Sequence, residues 1–194
     1  MLYLVRHGQT AYNAEYRLQG QLDIPLSDKG REQARELGER LKLEGARFDA
    51  LYCSTLSRAR ETAKIVGEYL GLEPKPIPGV EEIYFGCFQG HTFAECAELY
   101  PEAYADHVAR GSDSDAHGGE TGRDVLARAR AALLALPESR NDEPALVVTH
   151  GAVIGFLRAA AKGLPLADIR ELIPANAEIV AFDEGMLESL DQPQ

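Results

Sequence analysis

The chain has 194 residues, 45% hydrophobic and 26% charged, a balance typical of a single globular domain. Its net charge of −11 has the wrong sign for gripping nucleic acid or an anionic membrane surface, so we expect neither as a partner. No stretch approaches the roughly 20 apolar residues of a membrane span. The three cysteines lack C-x-x-C spacing, which favours a reducing cytoplasm over a disulfide framework or a zinc site.

Short apolar runs alternate with longer helical patterns along the chain, which predicts an α/β fold. The predicted strands cover residues 2–5, 50–53, 145–149 and 177–182. Ser27 is expected to cap a helix that runs to residue 43, and a second helix covers residues 57–70 and stops at Gly71. Three further helices are predicted to start at Thr92, Thr121 and Gly151 and to end near Pro101, Pro137 and Gly163.

We find no repeat and no linker that would divide the chain, so residues 1–194 are expected to form one domain. The runs 50–53 and 145–149 are almost continuously apolar, which is typical of strands covered by helices on both faces of a sheet. Residues 110–120 are the one long polar segment, and we interpret them as a candidate lid.

Two of the predicted strands each end in a histidine. His7 follows the first strand together with Arg6, and His150 follows the run 145–149 and opens a helix. Ligands of an open α/β sheet bind beyond the carboxyl ends of its strands, and a helix N-terminus offers free N–H groups to an anion. A lone histidine is usually structural, but two at equivalent strand ends favour a shared binding site.

Arg58 and Glu82 are the next candidates along the chain. Arg58 comes just after the strand 50–53, so it adds a cation at a third strand end. Glu82 stands in an apolar, glycine-punctuated stretch, where burial would raise the pKa of its carboxyl group. Taken alone, however, Glu82 is more simply interpreted as a surface carboxylate. The other histidines are expected in loops or on helix surfaces, without a catalytic role: His91, His107 and His117. Of these, His91 has the best claim to contact the leaving group of a substrate, because it follows closely after Glu82, so its role stays open.

The order of these residues resembles the histidine phosphatase superfamily. The motifs that carry the resemblance are Arg6-His7-Gly8-Gln9-Thr10, Asn13, Gln19-Gly20, Ser54-x-Leu56-x-Arg58, Glu82-Ile83-x-Phe85-Gly86, Gly119-Glu120 and Val148-Thr149-His150-Gly151. Together they cover residues 1–182, and several motifs in family order are far more specific than any one of them. The resemblance implies a single three-layer α/β/α domain of the phosphoglycerate mutase type, with a mostly parallel sheet.

The resemblance also implies roles for the candidate residues. His7 is then the nucleophile that forms a transient phosphohistidine, and Glu82 is the general acid and base. The implied phosphate- and substrate-binding residues are Arg6, Asn13, Gln19, Gly20, Arg58 and His150. No metal or other cofactor is required by this chemistry, and the sequence contains no H-x-x-H or H-E-x-x-H motif.

These expectations add up to a metal-independent phosphomonoesterase acting on a small phosphorylated metabolite. The alternative is a phosphoglycerate mutase, but family mutases carry a longer insertion between the acid and the second histidine, whereas Glu82 and His150 are 68 positions apart here. A non-catalytic phospho-ligand binding protein is disfavoured because the whole catalytic set is present. The sequence leaves the identity of the substrate open: it is α-ribazole phosphate, phosphoserine, phosphoglycerate or a sugar phosphate, or else the enzyme has broad specificity. Pairing of two copies as a homodimer, through an edge strand or the face near residues 84–93, also stays open.

Overall fold

A single five-stranded sheet forms the centre of the protein. The computed structural model describes residues 1–137, 144–167, 169–183, 185 and 187. The strands are β1 (Leu2–Arg6), β2 (Ala50–Cys53), β3 (Pro74–Pro76), β4 (Ala145–Thr149) and β5 (Ile179–Phe182). They lie in the order β3-β2-β4-β1-β5, with β1 to β4 parallel and β5 antiparallel to β1. The prediction of a mostly parallel sheet is therefore confirmed.

Helices cover both faces of this sheet, as predicted. They are α1 (Ala11–Ala14), α2 (Asp28–Leu43), α3 (Ser57–Leu70), α4 (Phe93–Leu99), α5 (Pro101–Arg110), α6 (Gly122–Leu134) and α7 (Gly151–Ala161). Because successive strand residues point to opposite faces, Leu4 joins the apolar core shared with α6 and α7, whereas Val5 joins the core shared with α2 and α3. Within the described residues, no helix is long and apolar enough to cross a membrane.

The predicted helix ends are largely confirmed, because they depend on local hydrogen bonding. The hydroxyl of Ser27 accepts from the backbone N–H of Gly30 at 3.1 Å and so caps α2. Thr92 and Thr121 each form a reciprocal capping box at the start of α4 and α6. Helix α3 ends at Gly71, whose φ of 69° is the left-handed conformation that glycine adopts most readily.

Four local features differ from the sequence prediction. The strand β3 was not predicted, because its sequence is Pro-Lys-Pro and proline cannot donate a hydrogen bond inside a sheet. Proline is tolerated here because β3 lies at the sheet edge. The single turn α1 was also missed. Helix α4 ends before Pro101, as predicted, but Pro101 then begins α5, which was not predicted. Ala177 has a φ of 57°, so the last strand starts at Ile179 instead.

The polar segment 110–120 packs closely against the rest of the protein. It contains a 3-10 turn (Gly111–Asp113), and the side chains of Ser114 and His117 are buried. The ring of His117 lies 5.2 Å from that of Phe88, centroid to centroid. His117 lies in a loop, as expected, but its burial was not predicted, because the aromatic side chains around it come from a distant part of the chain.

Candidate active site

The carboxyl ends of three neighbouring strands bring the two predicted histidines together. His7 directly follows β1, Ser54 follows β2, and His150 follows β4. The centroids of the two imidazole rings are 5.1 Å apart, and both side chains are almost completely buried. Strands β1 and β4 pair in parallel, with Arg6 opposite Thr149, so His7 and His150, which follow these two residues, emerge side by side.

His7 is held as a neutral imidazole with one free nitrogen. Its Nδ1 lies 2.7 Å from the backbone carbonyl oxygen of Gly8, and because a carbonyl only accepts, Nδ1 must carry the proton. Burial, followed by the positive charge of Arg58, lowers the pKa of His7 well below its usual range. The neutral ring therefore has its lone pair on Nε2, which is what a nucleophile requires.

His150 complements His7 from the start of α7, where it is the N-terminal capping residue. Its Nε2 lies 2.8 Å from the hydroxyl of Ser54, while its buried Nδ1 has no hydrogen-bond partner among the residues that the structure describes. Burial is the main cause that lowers the pKa of His150 well below its usual range, and Arg58 adds to it. If the Ser54 hydroxyl donates to Nε2, the proton of the neutral ring is on Nδ1 and is available to a ligand.

Two arginines supply positive charge at this end of the sheet. Arg58 is fully buried and donates to the backbone carbonyl oxygens of Gly20 and Leu22, each at 2.7 Å. Arg6 donates to the carbonyl oxygen of Pro174 at 2.8 Å. Burial lowers the pKa of both guanidinium groups, and the charge of Glu82 opposes that effect. A buried cation without a full counter-charge is costly unless it binds an anion.

Three buried nitrogen atoms at this site have no hydrogen-bond partner within the described structure. They are Nε of Arg6, Nε of Arg58 and Nδ1 of His150. Buried polar groups in native proteins are almost always hydrogen-bonded, so such a cluster calls for an explanation. All three can donate a hydrogen bond, and two of them belong to cations, so the group that would satisfy them is an anion with several acceptor oxygens.

Glu82 is half-buried, and its carboxylate lies near the first turn of α7. One carboxylate oxygen accepts from its neighbour Ile83 N–H at 3.0 Å, and the other accepts from the N–H of Ala152, in the first turn of α7, at 3.4 Å. Thr149, at the end of β4, donates its hydroxyl to the carbonyl oxygen of Val80 at 2.7 Å and ties the preceding segment to the sheet. The carboxylate therefore approaches the helix that follows His150.

The three remaining predicted binding residues hold the site together through the contacts that the structure shows. The Asn13 side-chain oxygen accepts from the backbone N–H of Thr10 at 3.0 Å, and the Gln19 side-chain oxygen accepts from the Thr10 hydroxyl at 2.8 Å. The backbone oxygen of Gly20 accepts from Arg58. These contacts fix the loop after His7 and the orientation of Arg58, and a direct contact of these residues with substrate stays a prediction.

Two side chains hold the segment around Glu82: Arg128, which the sequence analysis missed, and Glu120, whose role it missed. Arg128 of α6 donates to three backbone carbonyl oxygens of residues 79–82 and forms an ion pair with Glu120. Glu120 belongs to a recognised motif, but nothing in its spacing indicates a partner on α6. The sequence carries no local signal for Arg128, because its carbonyl partners lie 46 to 49 residues away.

Comparison with known proteins identifies the class of protein that this fold and site define. The family model described as histidine phosphatase superfamily (branch 1) matches residues 2–185, so the chain belongs to that superfamily. It is accordingly an enzyme of the phosphatase type.

Individual relatives span most of the chain. A probable phosphoglycerate mutase of Salmonella paratyphi C is 33% identical over 94% of this chain and 84% of its own length. The structure of a mycobacterial glucosyl-3-phosphoglycerate phosphatase, in complex with VO3, superposes with a TM-score of 0.76 at 36% identity, covering 92% of this chain and 90% of that one. The alpha-ribazole phosphatase from Shigella flexneri gives a TM-score of 0.80 at 26% identity, covering 92% and 87%.

Proposed function

We propose that this protein is a metal-independent phosphomonoesterase that hydrolyses a small phosphorylated metabolite through a phosphohistidine on His7. The observation that carries the proposal is a set of three buried nitrogens near the neutral His7, from Arg6, Arg58 and His150, that have no hydrogen-bond partner in the described part of the chain. A phosphoryl group has three oxygens to offer to these donors. The two guanidinium groups and the N-terminus of α7 supply the positive charge that stabilises the transferring group.

The first chemical step transfers the phosphoryl group to His7. The Nε2 lone pair attacks phosphorus, the bond between phosphorus and the ester oxygen breaks, and Glu82 in its protonated form gives its proton to the departing alkoxide. The Nδ1–H of His7 keeps its hydrogen bond to the carbonyl of Gly8, which orients the ring and stabilises the positive charge that the imidazole acquires.

The second step returns both side chains to their starting state. Glu82, now a carboxylate, removes a proton from a water molecule whose oxygen attacks phosphorus. The bond between phosphorus and Nε2 breaks, inorganic phosphate leaves, and His7 is neutral again. No proton or charge is left over after one cycle.

A phosphoglycerate mutase is the second candidate, because a relative that covers 94% of this chain bears that name. A mutase must return the phosphoryl group to its substrate before water reaches it, so its intermediate has to be enclosed. The spacing of 68 positions between Glu82 and His150 leaves a shorter segment for such an enclosure than family mutases carry. Incubation with either 2- or 3-phosphoglycerate separates the two, since a mutase yields the isomer and a phosphatase yields inorganic phosphate.

The proposal is tested by hydrolysis of p-nitrophenyl phosphate in excess EDTA, with wild type beside His7→Ala. Activity that survives chelation and is lost in the variant is the expected result, together with an acid-labile, base-stable phosphate label on the wild type alone. The matched control is His107→Gln, which alters a histidine outside the site and should retain activity. Loss of activity on chelation, or a His7→Ala variant as active as wild type, would overturn the proposal.

Three further features belong to the proposal. The substrate is a small phosphorylated metabolite, to be identified by screening α-ribazole phosphate, phosphoserine, phosphoglycerates and sugar phosphates. The protein works in the cytoplasm, a placement supported by its three free cysteines. Pairing of two copies stays a prediction, which light scattering after size-exclusion chromatography tests.

A further inference from the structure

We propose that Arg128 and Glu120 form a clamp that positions Glu82 as the proton donor and acceptor of the reaction. This inference rests on the proposed function, because Glu82 has that role only in the phosphohistidine mechanism. Neither clamp residue is a catalytic residue in the sense of touching the reacting atoms. Both act on the backbone that carries Glu82.

The guanidinium group of Arg128 holds the backbone that leads to Glu82. One terminal nitrogen donates to the carbonyl oxygen of Gly79 at 2.8 Å and to that of Glu81 at 2.7 Å, and the other donates to that of Glu82 itself at 3.0 Å. The planar fork of arginine allows several such hydrogen bonds in fixed directions, which lysine does not. One side chain therefore fixes three of four consecutive residues that end at the acid.

Glu120 completes the clamp by binding both Arg128 and the backbone of Tyr84. Its two carboxylate oxygens accept from Nε and a terminal nitrogen of Arg128 at 2.7 and 2.9 Å, which is the bidentate arrangement. One of these oxygens also accepts from the backbone N–H of Tyr84 at 2.8 Å, and the N–H of Glu120 donates to the carbonyl of Tyr84 at 2.8 Å. The backbone is thus held before Glu82 by Arg128 and after it by Glu120.

The clamp leaves the carboxylate of Glu82 free to work. That side chain accepts only the N–H groups of Ile83 and Ala152 among the hydrogen bonds that the structure describes. Its backbone, in contrast, is anchored to α6 through Arg128, and α6 packs on α7, the helix that follows His150. A displacement of a catalytic group by about 1 Å can reduce a rate by roughly 100-fold, so rigid support of this backbone has a direct kinetic consequence.

The first test compares kcat/KM for an alkyl phosphate and for p-nitrophenyl phosphate in Arg128→Met and Glu120→Gln. The parameter kcat/KM reports steps up to departure of the leaving group, and only a poor leaving group needs the proton from Glu82. We expect a loss of about 10- to 100-fold on the alkyl phosphate and within about threefold on the aryl phosphate. The control on the same helix is Arg123→Met, a side chain 79% exposed, which should change neither.

The second test asks whether Arg128 acts through Glu82. In a Glu82→Gln background the acid is already absent, so adding Arg128→Met should cause almost no further loss on the alkyl phosphate. Losses that multiply in the double variant, or equal losses on both substrates in the single variants, would show a general structural role and overturn the inference. The variant Arg128→Lys keeps the positive charge but loses the planar fork, so it should recover only part of the activity that Arg128→Met loses on the alkyl phosphate.

A third readout does not depend on activity. The N–H of Ile83 donates to the Glu82 carboxylate, so a loosened segment should expose it, and we expect its amide hydrogen exchange to be at least about tenfold faster in Arg128→Met and Glu120→Gln than in Arg123→Met. Unchanged exchange refutes the clamp even if the protein proves to be a mutase or to have no turnover. If exchange accelerates while His7→Ala keeps full activity, Arg128 and Glu120 still hold the backbone, but the phosphohistidine mechanism fails and with it the role of the clamp in the reaction.

Discussion

Acidification is predicted to destabilise this protein through its two active-site histidines. His7 and His150 have pKa values well below the usual range because both are buried beside Arg58, whereas in the unfolded chain they titrate near their ordinary value of about 6.5. Between the folded and unfolded pKa values the unfolded chain binds more protons, so stability falls as the pH falls. Each such histidine contributes about 1.4 kcal/mol per pH unit, and the pair about 2.7 kcal/mol per pH unit. Burial also lowers the pKa values of His107 and His117, so these two histidines make the total slope steeper in the same direction.

Urea denaturation at intervals from about pH 7 to about pH 5, in phosphate-free buffer, measures this slope. Carboxylates contribute little in that window, because those with lowered pKa values, such as Asp23 and Glu95, stay ionised there in both states. The variant His7→Gln keeps a neutral polar group and removes one titrating site. Its free energy of unfolding should therefore fall less steeply with acid than that of wild type, by about 1.4 kcal/mol per pH unit.

A free energy of unfolding that is constant between about pH 6 and about pH 5 would refute the reasoning. So would parallel slopes for wild type and His7→Gln, because His7 would then bind its proton as readily in the folded state as in the unfolded chain. A protonated His7 has no lone pair on Nε2, so the proposed nucleophile would then be inactive over this pH range.

Three further predictions test the packing around the site. A Cβ on Gly8 would lie 2.3 Å from the carbonyl oxygen of Gly30. The variant Gly8→Ala should therefore lower the free energy of unfolding by about 1–3 kcal/mol, as thermal denaturation measures, and should abolish phosphatase activity. Phe88 is fully buried against His117, so Phe88→Ala should cost about 3–5 kcal/mol in urea denaturation. Burial raises the pKa of Cys53 to about 11, so iodoacetamide should modify that thiol only after unfolding, as mass spectrometry of native and denatured samples will show.

The sequence was sufficient for features that depend on neighbouring residues. Helix caps such as Ser27 and Thr92 were predicted because their hydrogen bonds join residues three positions apart. The convergence of His7 and His150 was predicted because parallel strands end at the same edge of a sheet, whatever the rest of the chain does. The resemblance to a family then supplied roles that no spacing could have given.

Only the tertiary structure decided which side chains are buried and what they touch. The Pro-Lys-Pro strand is visible only beside β2, and the burial of His117 only beside Phe88. The protonated nitrogen of His7 follows from one contact with the Gly8 carbonyl. Arg128 looks like any other helix arginine until α6 packs beside residues 79–82. The sequence by itself therefore determined the fold class and the residues at the strand ends, since local propensity and strand direction govern both. Packing of distant segments determined the protonation, the burial and the support on which the chemistry depends.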